Sequence, residues 1–183
     1  MRSTHTAARA AVRPAHAQVA QPGDGFEPKV LPVPLGSEVR FSANDGRRHE
    51  LYAFSPARRF TFPLYAGHAE ESLRFETPGV VDYGCAIHDA AIGYVVVLDT
   101  PYFATTDAGG HARLDAPDGD YTLQVWHERQ ARGREPLVRE LHVEGHAVTR
   151  GSLPVQPLRA AGPLPEVHLH DLRERFLRFQ RGG

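Results

Sequence analysis

From Phe26 onward the chain alternates short runs of β-branched and aromatic residues with clusters of turn formers. Val30–Val33, flanked by Pro32 and Pro34, reads as an edge strand, because proline cannot donate to a ladder. Glu38–Phe41, His49–Phe54, Arg59–Leu64, Ser72–Phe75, Gly79–Tyr83 and Tyr94–Leu98 follow as further short strands. Between them stand Leu35-Gly36-Ser37, Ala43-Asn44-Asp45-Gly46, Ser55-Pro56-Ala57 and Thr77-Pro78-Gly79. Short strands at regular spacing with such separators predict an all-β sandwich or barrel. No run of helical periodicity interrupts residues 26–155.

A second group of strands begins after Thr100-Pro101. Thr106-Asp107-Ala108-Gly109-Gly110 and Asp115-Ala116-Pro117-Asp118-Gly119 read as turns. His111–Leu114, Asp120–His127, Leu137–Val143 and Ala147–Leu153 read as strands. In Asp120–His127, Tyr121, Leu123 and Val125 alternate with Thr122, Gln124 and Trp126. The tail differs. After Pro163-Leu164-Pro165, residues Leu169, Leu172, Phe176 and Phe179 form one apolar stripe at helical spacing. That predicts a short amphipathic helix, docked on the sandwich or open to a partner. Residues 1–25, rich in Ala, Arg, His and Gly without periodicity, predict a disordered segment or the remnant of a longer N-terminal part.

The domain expectation is therefore 1–25 as a disordered or truncated segment, 26–99 as the first β domain, 100–157 as a second β segment, and 158–183 as linker and helix. The 183 residues suffice for one good domain or two small β modules. A formal net charge of −1 gives no sign of a nucleic-acid partner or an anionic membrane surface. Lys29 is the only lysine among 21 basic residues, which reads as genomic bias. No stretch approaches the roughly 18–20 apolar residues of a membrane span. Met1–Ala20 carries Arg2, Arg9 and Arg13 without an apolar core after them, so it does not read as a secretory signal. Either the protein is cytoplasmic or its true start lies upstream.

Three counts direct attention to chemistry: one cysteine, Cys85; one methionine, Met1; and 11 histidines. An unpaired cysteine among many histidines is an inert thiol, a nucleophile or a metal ligand. Cys85 and His88 are separated by two residues on the loop between the strands Gly79–Tyr83 and Tyr94–Leu98. One strand end and one tight loop can aim a thiolate and an imidazole at the same point. Thiolate plus imidazole suits copper, and a trigonal His2Cys set is the blue-copper arrangement. The second histidine should open a neighbouring strand. His49 does so, directly after the Asn44-Asp45-Gly46 turn and eight residues after Phe41.

Phe41, the Asn44 loop, His49 and the Cys85-x-x-His88 pair resemble the plastocyanin-like cupredoxins. A closer resemblance is to bacterial periplasmic cupredoxin-domain proteins labelled methylamine-utilisation proteins. It is carried by Phe54-Ser55-Pro56-Ala57, Pro63-Leu64-Tyr65-Ala66-Gly67, Pro78-Gly79-Val80-Val81, Cys85-x-Ile87-His88-Asp89 and Asp99-Thr100-Pro101-Tyr102-Phe103-Ala104-Thr105-Thr106. Gly119-Asp120-Tyr121-x-Leu123-x-Val125-Trp126-His127 closes the set, which covers about residues 18–128. The resemblance implies a Greek-key cupredoxin sandwich over 26–99. It also implies a carboxypeptidase-regulatory or prealbumin-like β segment over 100–157. The protein would be exported to the periplasm and hold one type 1-like copper ion on His49, Cys85 and His88. It would carry single electrons to a redox partner rather than act as an enzyme. The alternatives are a copper chaperone or sensor and a metal-free partner-binding sandwich.

Two positions depart from that family. Its members place a methionine three to five residues after the second histidine. Here those positions are Ala91, Ile92 and Gly93, and Met1 is the only methionine. Loss of an axial donor should raise the reduction potential or open a coordination position. The residue after His49 is Glu50, which strand alternation turns away from the site. Elsewhere, Cys85 and His88 show no oxyanion signature for nucleophilic catalysis. Trp126-His127 reads as an inter-module aromatic with an exposed histidine. His68, His111, His168 and His170 read as solvated. Asp107, Asp115, Asp118 and Asp120 fail the EF-hand spacing and read as turn chemistry.

Overall fold

The computed structural model describes residues 11–64, 70–130, 137–145, 148, 151–152 and 155–156. Ten strands are assigned: β1 His16–Ala20, β2 Val30–Pro34, β3 Glu38–Ser42, β4 His49–Ser55, β5 Arg58–Leu64, β6 Glu70–Arg74, β7 Gly79–Cys85, β8 Ile92–Leu98, β9 Gly119–Val125 and β10 Leu137–Val143. Among the described residues there is no helix, hence none long and apolar enough to cross a membrane. The all-β expectation holds for this part of the chain.

Eight strands form two facing sheets. One runs β1-β3-β6 and the other β2-β8-β7-β4-β5. β1 pairs β3, and β2 pairs β8, in parallel; the remaining pairs are antiparallel. The chain crosses between the sheets from β1 to β2, β2 to β3, β3 to β4, β5 to β6 and β6 to β7. The alternation of β4 drives this packing: His49, Leu51, Ala53 and Ser55 are buried, while Glu50 and Phe54 are exposed. Val39 and Phe41 from one sheet meet Leu51, Val81, Tyr83, Cys85, Val95 and Val97 from the other in a single core. Phe41 lies at its centre, with ring centroids 5.6 Å from Phe62 and 5.3 Å from Tyr83. Leu51 pairs with Cys85 across β4 and β7. That register sets the end of β7 beside the start of β4.

β9 and β10 form a separate antiparallel hairpin. Its end meets the sandwich where Trp126 packs edge-on against Tyr94 at 5.4 Å and Glu128 pairs with Lys29 at 2.8 Å.

Four expectations need correction or delimiting. Residues 16–20, within the segment expected to be disordered or truncated, form β1 with Val19 buried, so this stretch is not disordered. His-Ala-Gln-Val-Ala carries too few apolar residues to announce a strand. Its pairing partner, β3, lies 22 positions along the chain. His111–Leu114 is not a strand; it is exposed chain after the Asp107 turn. The Ala147–Leu153 strand falls largely outside the described residues, and Val148, Gly151 and Ser152 are not in a strand. The C-terminal helix, with His168 and His170, lies outside the described residues, as does His68.

Candidate metal centre

His49 is delivered by a turn and a strand. Gly46 takes φ +73°, a left-handed conformation that glycine adopts freely. Asp45 Oδ1 accepts the Arg47 backbone N–H at 3.0 Å, so the Asp45 side chain folds the turn on itself. The chain then enters β4 with the His49 ring fully buried. Cys85 ends β7 and is buried as well. The loop after it is tied to the start of β4, because the Ala86 N–H donates to the Glu50 carbonyl at 2.8 Å. It is also closed on itself. The Ala91 N–H donates to the His88 carbonyl at 2.9 Å, and the Cys85 N–H to the Ala91 carbonyl at 3.3 Å. This short loop returns His88 over Cys85, with its side chain 14% exposed.

The three side chains converge. Cys85 Sγ lies 3.5 Å from His88 Nδ1 and 3.9 Å from His49 Nδ1. The imidazole rings are 4.7 Å apart between centroids. One ligand atom from each residue falls within 4.8 Å of the others, and among the described residues no other His, Cys, Asp or Glu group does this. A first-row ion about 2.3 Å from sulfur and about 2.0 Å from imidazole nitrogen, at trigonal to tetrahedral angles, needs S···N separations of about 3.5–3.7 Å. The observed separations bracket that range, so the donor set fits a metal ion.

Each ring nitrogen facing away from Cys85 meets a carboxylate. His49 Nε2 donates to Asp45 Oδ1 at 3.0 Å. The hydrogen bond from His49 and the Arg47 backbone N–H hold the Asp45 carboxyl down at about 2. His88 Nε2 lies 3.8 Å from Asp24 Oδ1, which is itself paired with Arg47 at 3.0 Å. Neither aspartate is marked by sequence spacing. Asp45 reads there as a turn residue, and Asp24 falls in a segment without periodicity.

The other sequence candidates lie elsewhere. Glu50 is exposed on β4. Trp126 packs on Tyr94, and His127 Nδ1 accepts the Arg129 N–H at 3.0 Å. His111 sits exposed beside Asp107 in its turn. Ala91 is buried, so no side-chain donor stands at the position where the resemblance expects methionine.

Two facing β-sheets with a His-Cys-His cluster at one end define the architecture. The sandwich is cupredoxin-like. No protein-family model and no curated protein matches the chain. Among solved structures it is similar to a purple cupredoxin from Nitrosopumilus maritimus, at 24% identity and TM-score 0.40, over 45% of this chain and 99% of that one. It is similar to a Cu-containing nitrite reductase from Thermus scotoductus SA-01, at 26% identity and TM-score 0.43, over 48% of this chain. The match spans only 23% of that reductase. An amicyanin mutant in its reduced state is similar at 23% identity and TM-score 0.41, over 51% of this chain and 87% of that one.

Proposed function

We propose that His49, Cys85 and His88 bind one copper ion and that the protein carries single electrons. The observation that carries this reading is the convergence of one thiol and two imidazole Nδ1 atoms at metal-binding separations within a buried end of the sandwich. A soft sulfur with two imidazoles matches copper better than the oxygen-loving ions, and copper bound there supplies a one-electron couple. Cys85 serves as thiolate and both histidines as neutral imidazoles.

The chain's own contribution is rigidity. Cys85 and His49 belong to strands paired with each other, and the His88 loop is fastened to β4 through Ala86 and Glu50. The donors are therefore held by the backbone ladder and need little rearrangement between oxidation states. His88 is the ligand nearest solvent and offers the shortest way in for an electron. A partner protein would dock there. The resemblance supports a periplasmic setting, and it supports an electron carrier without a catalytic step of its own.

Purified apo-protein titrated with Cu(II) should develop the intense visible thiolate-to-copper absorption. Absence of the band in wild type, or its survival in Cys85→Ser, rules the assignment out. Ala91 favours a second reading, because a site without a thioether loses a donor that steadies the metal. In that reading the protein is a copper chaperone or sensor. A Cu(I) affinity far above that for Cu(II), without reversible electrochemistry, selects it. No copper binding at all selects a metal-free partner-binding sandwich.

A further inference from the structure

Asp45 does more than close a turn. Its Oδ1 accepts the His49 Nε2–H at 3.0 Å and the Arg47 backbone N–H at 3.0 Å. Its Oδ2 is buried and has no hydrogen-bond partner among the described residues. A carboxylate oxygen left in that condition costs stability, because water would otherwise solvate it. The turn needs only the Arg47 contact, which an asparagine side chain makes equally well. What a carboxylate adds is negative charge against the far nitrogen of a buried imidazole. The corresponding contact of His88, to the exposed Asp24 at 3.8 Å, is too long for a hydrogen bond. The tight arrangement belongs to His49 alone.

We infer that Asp45 is a positioning residue for His49: it fixes the ring with the proton on Nε2, turns the Nδ1 lone pair toward Cys85, and makes that nitrogen a stronger donor. Carboxylate–histidine pairs orient a metal-binding imidazole and raise its basicity. In this chain the effect has a particular use. Ala91 supplies no axial donor, so electron density that would favour the higher charge state must come through the histidines. The Asp45 charge offsets part of the rise in potential that a missing thioether produces. The inference rests on the copper reading for its second half only.

Two readouts separate the halves. In metal-free protein at alkaline pH, 15N NMR should find His49 as the Nε2–H tautomer. Asp45→Ala should release it to a mixture, and Asp45→Asn should restore it through the side-chain carbonyl. In the copper-loaded protein, Asp45→Asn should weaken Cu(II) binding about tenfold relative to Cu(I), as loss of such outer partners does. For a one-electron couple that is a rise of about 59 mV in potential. A His49 tautomer unmoved by Asp45→Ala overturns the positioning role whether or not copper binds. A potential unchanged in Asp45→Asn overturns the charge role. Should the alanine variant fail to fold, the asparagine variant still decides the second. Absence of the visible band in wild type would defeat the copper reading and leave the tautomer result standing.

Discussion

Tyr83 lies two residues before Cys85, and burial holds its phenol well above the usual range. Its ring packs edge-on against Phe26 at 4.7 Å and Phe41 at 5.3 Å. Across the β7–β8 ladder it faces Gly93, where a Cβ would overlap the tyrosine ring. Gly93 therefore leaves room for the side chain that plugs the core next to the strand end that carries Cys85. Gly93→Ala should destabilise the fold by about 1–3 kcal/mol, the usual cost of overpacking a filled core. Urea denaturation would measure it, and an unchanged midpoint would contradict the packing described. At this scale the sequence is most informative about Cys85, His88 and His49. Residues three apart on a loop must lie close together, and a histidine opening a strand after a turn faces one end of a sandwich. Asp45 and Asp24 were not legible as partners of these histidines. Both contacts depend on how a turn and the N-terminal segment fold over the site, and spacing does not encode that.

At the scale of elements, the hairpin β9–β10 carries a cross-strand pair in which His142 Nδ1 meets Asp120 Oδ1 at 2.7 Å in register. The hydrogen bond to Asp120, reinforced by its charge, raises the His142 pKa above its usual 6.5. The folded value is then above the unfolded one. The pair's contribution is present in full below about pH 6.5 and fades as pH rises through the folded value. Both side chains are well exposed, so the effect is small. NMR titration should find His142 protonating at higher pH than an exposed histidine, and Asp120→Asn should return it to the ordinary range. A His142 titration unaffected by that change would deny the pair. Most elements of the sandwich were legible because short runs of β-branched and aromatic residues set between turn formers, such as β4 and β8, are a local signal. β1 was not, since Val19 is the one fully buried residue in a strand of alanine, glutamine and histidine. It becomes a strand only by pairing with β3. The reverse error, at His111–Leu114, has the complementary cause: a strand-like texture there meets no pairing strand among the described residues and stays exposed.

At the scale of the whole molecule, two sheets closed over Phe41 and Tyr83 hold one buried thiol and two imidazoles at a single end. The sandwich was legible as a class from strand texture and turn residues. Its sheet order was not, because the parallel pairings of β1 with β3 and β2 with β8 join segments that no local pattern relates. The hairpin is fastened to the sandwich through Trp126, which packs on Tyr94 of β8, and Glu128, which pairs with Lys29 just before β2. In the proposed function this frame presents a His2Cys donor set to copper, and copper K-edge X-ray absorption on the stoichiometrically loaded protein reads that set out. It should find one short sulfur contact and two imidazole nitrogens, with the sulfur lost in Cys85→Ser. A spectrum without sulfur in the wild type, or one unchanged by that substitution, would contradict the proposal.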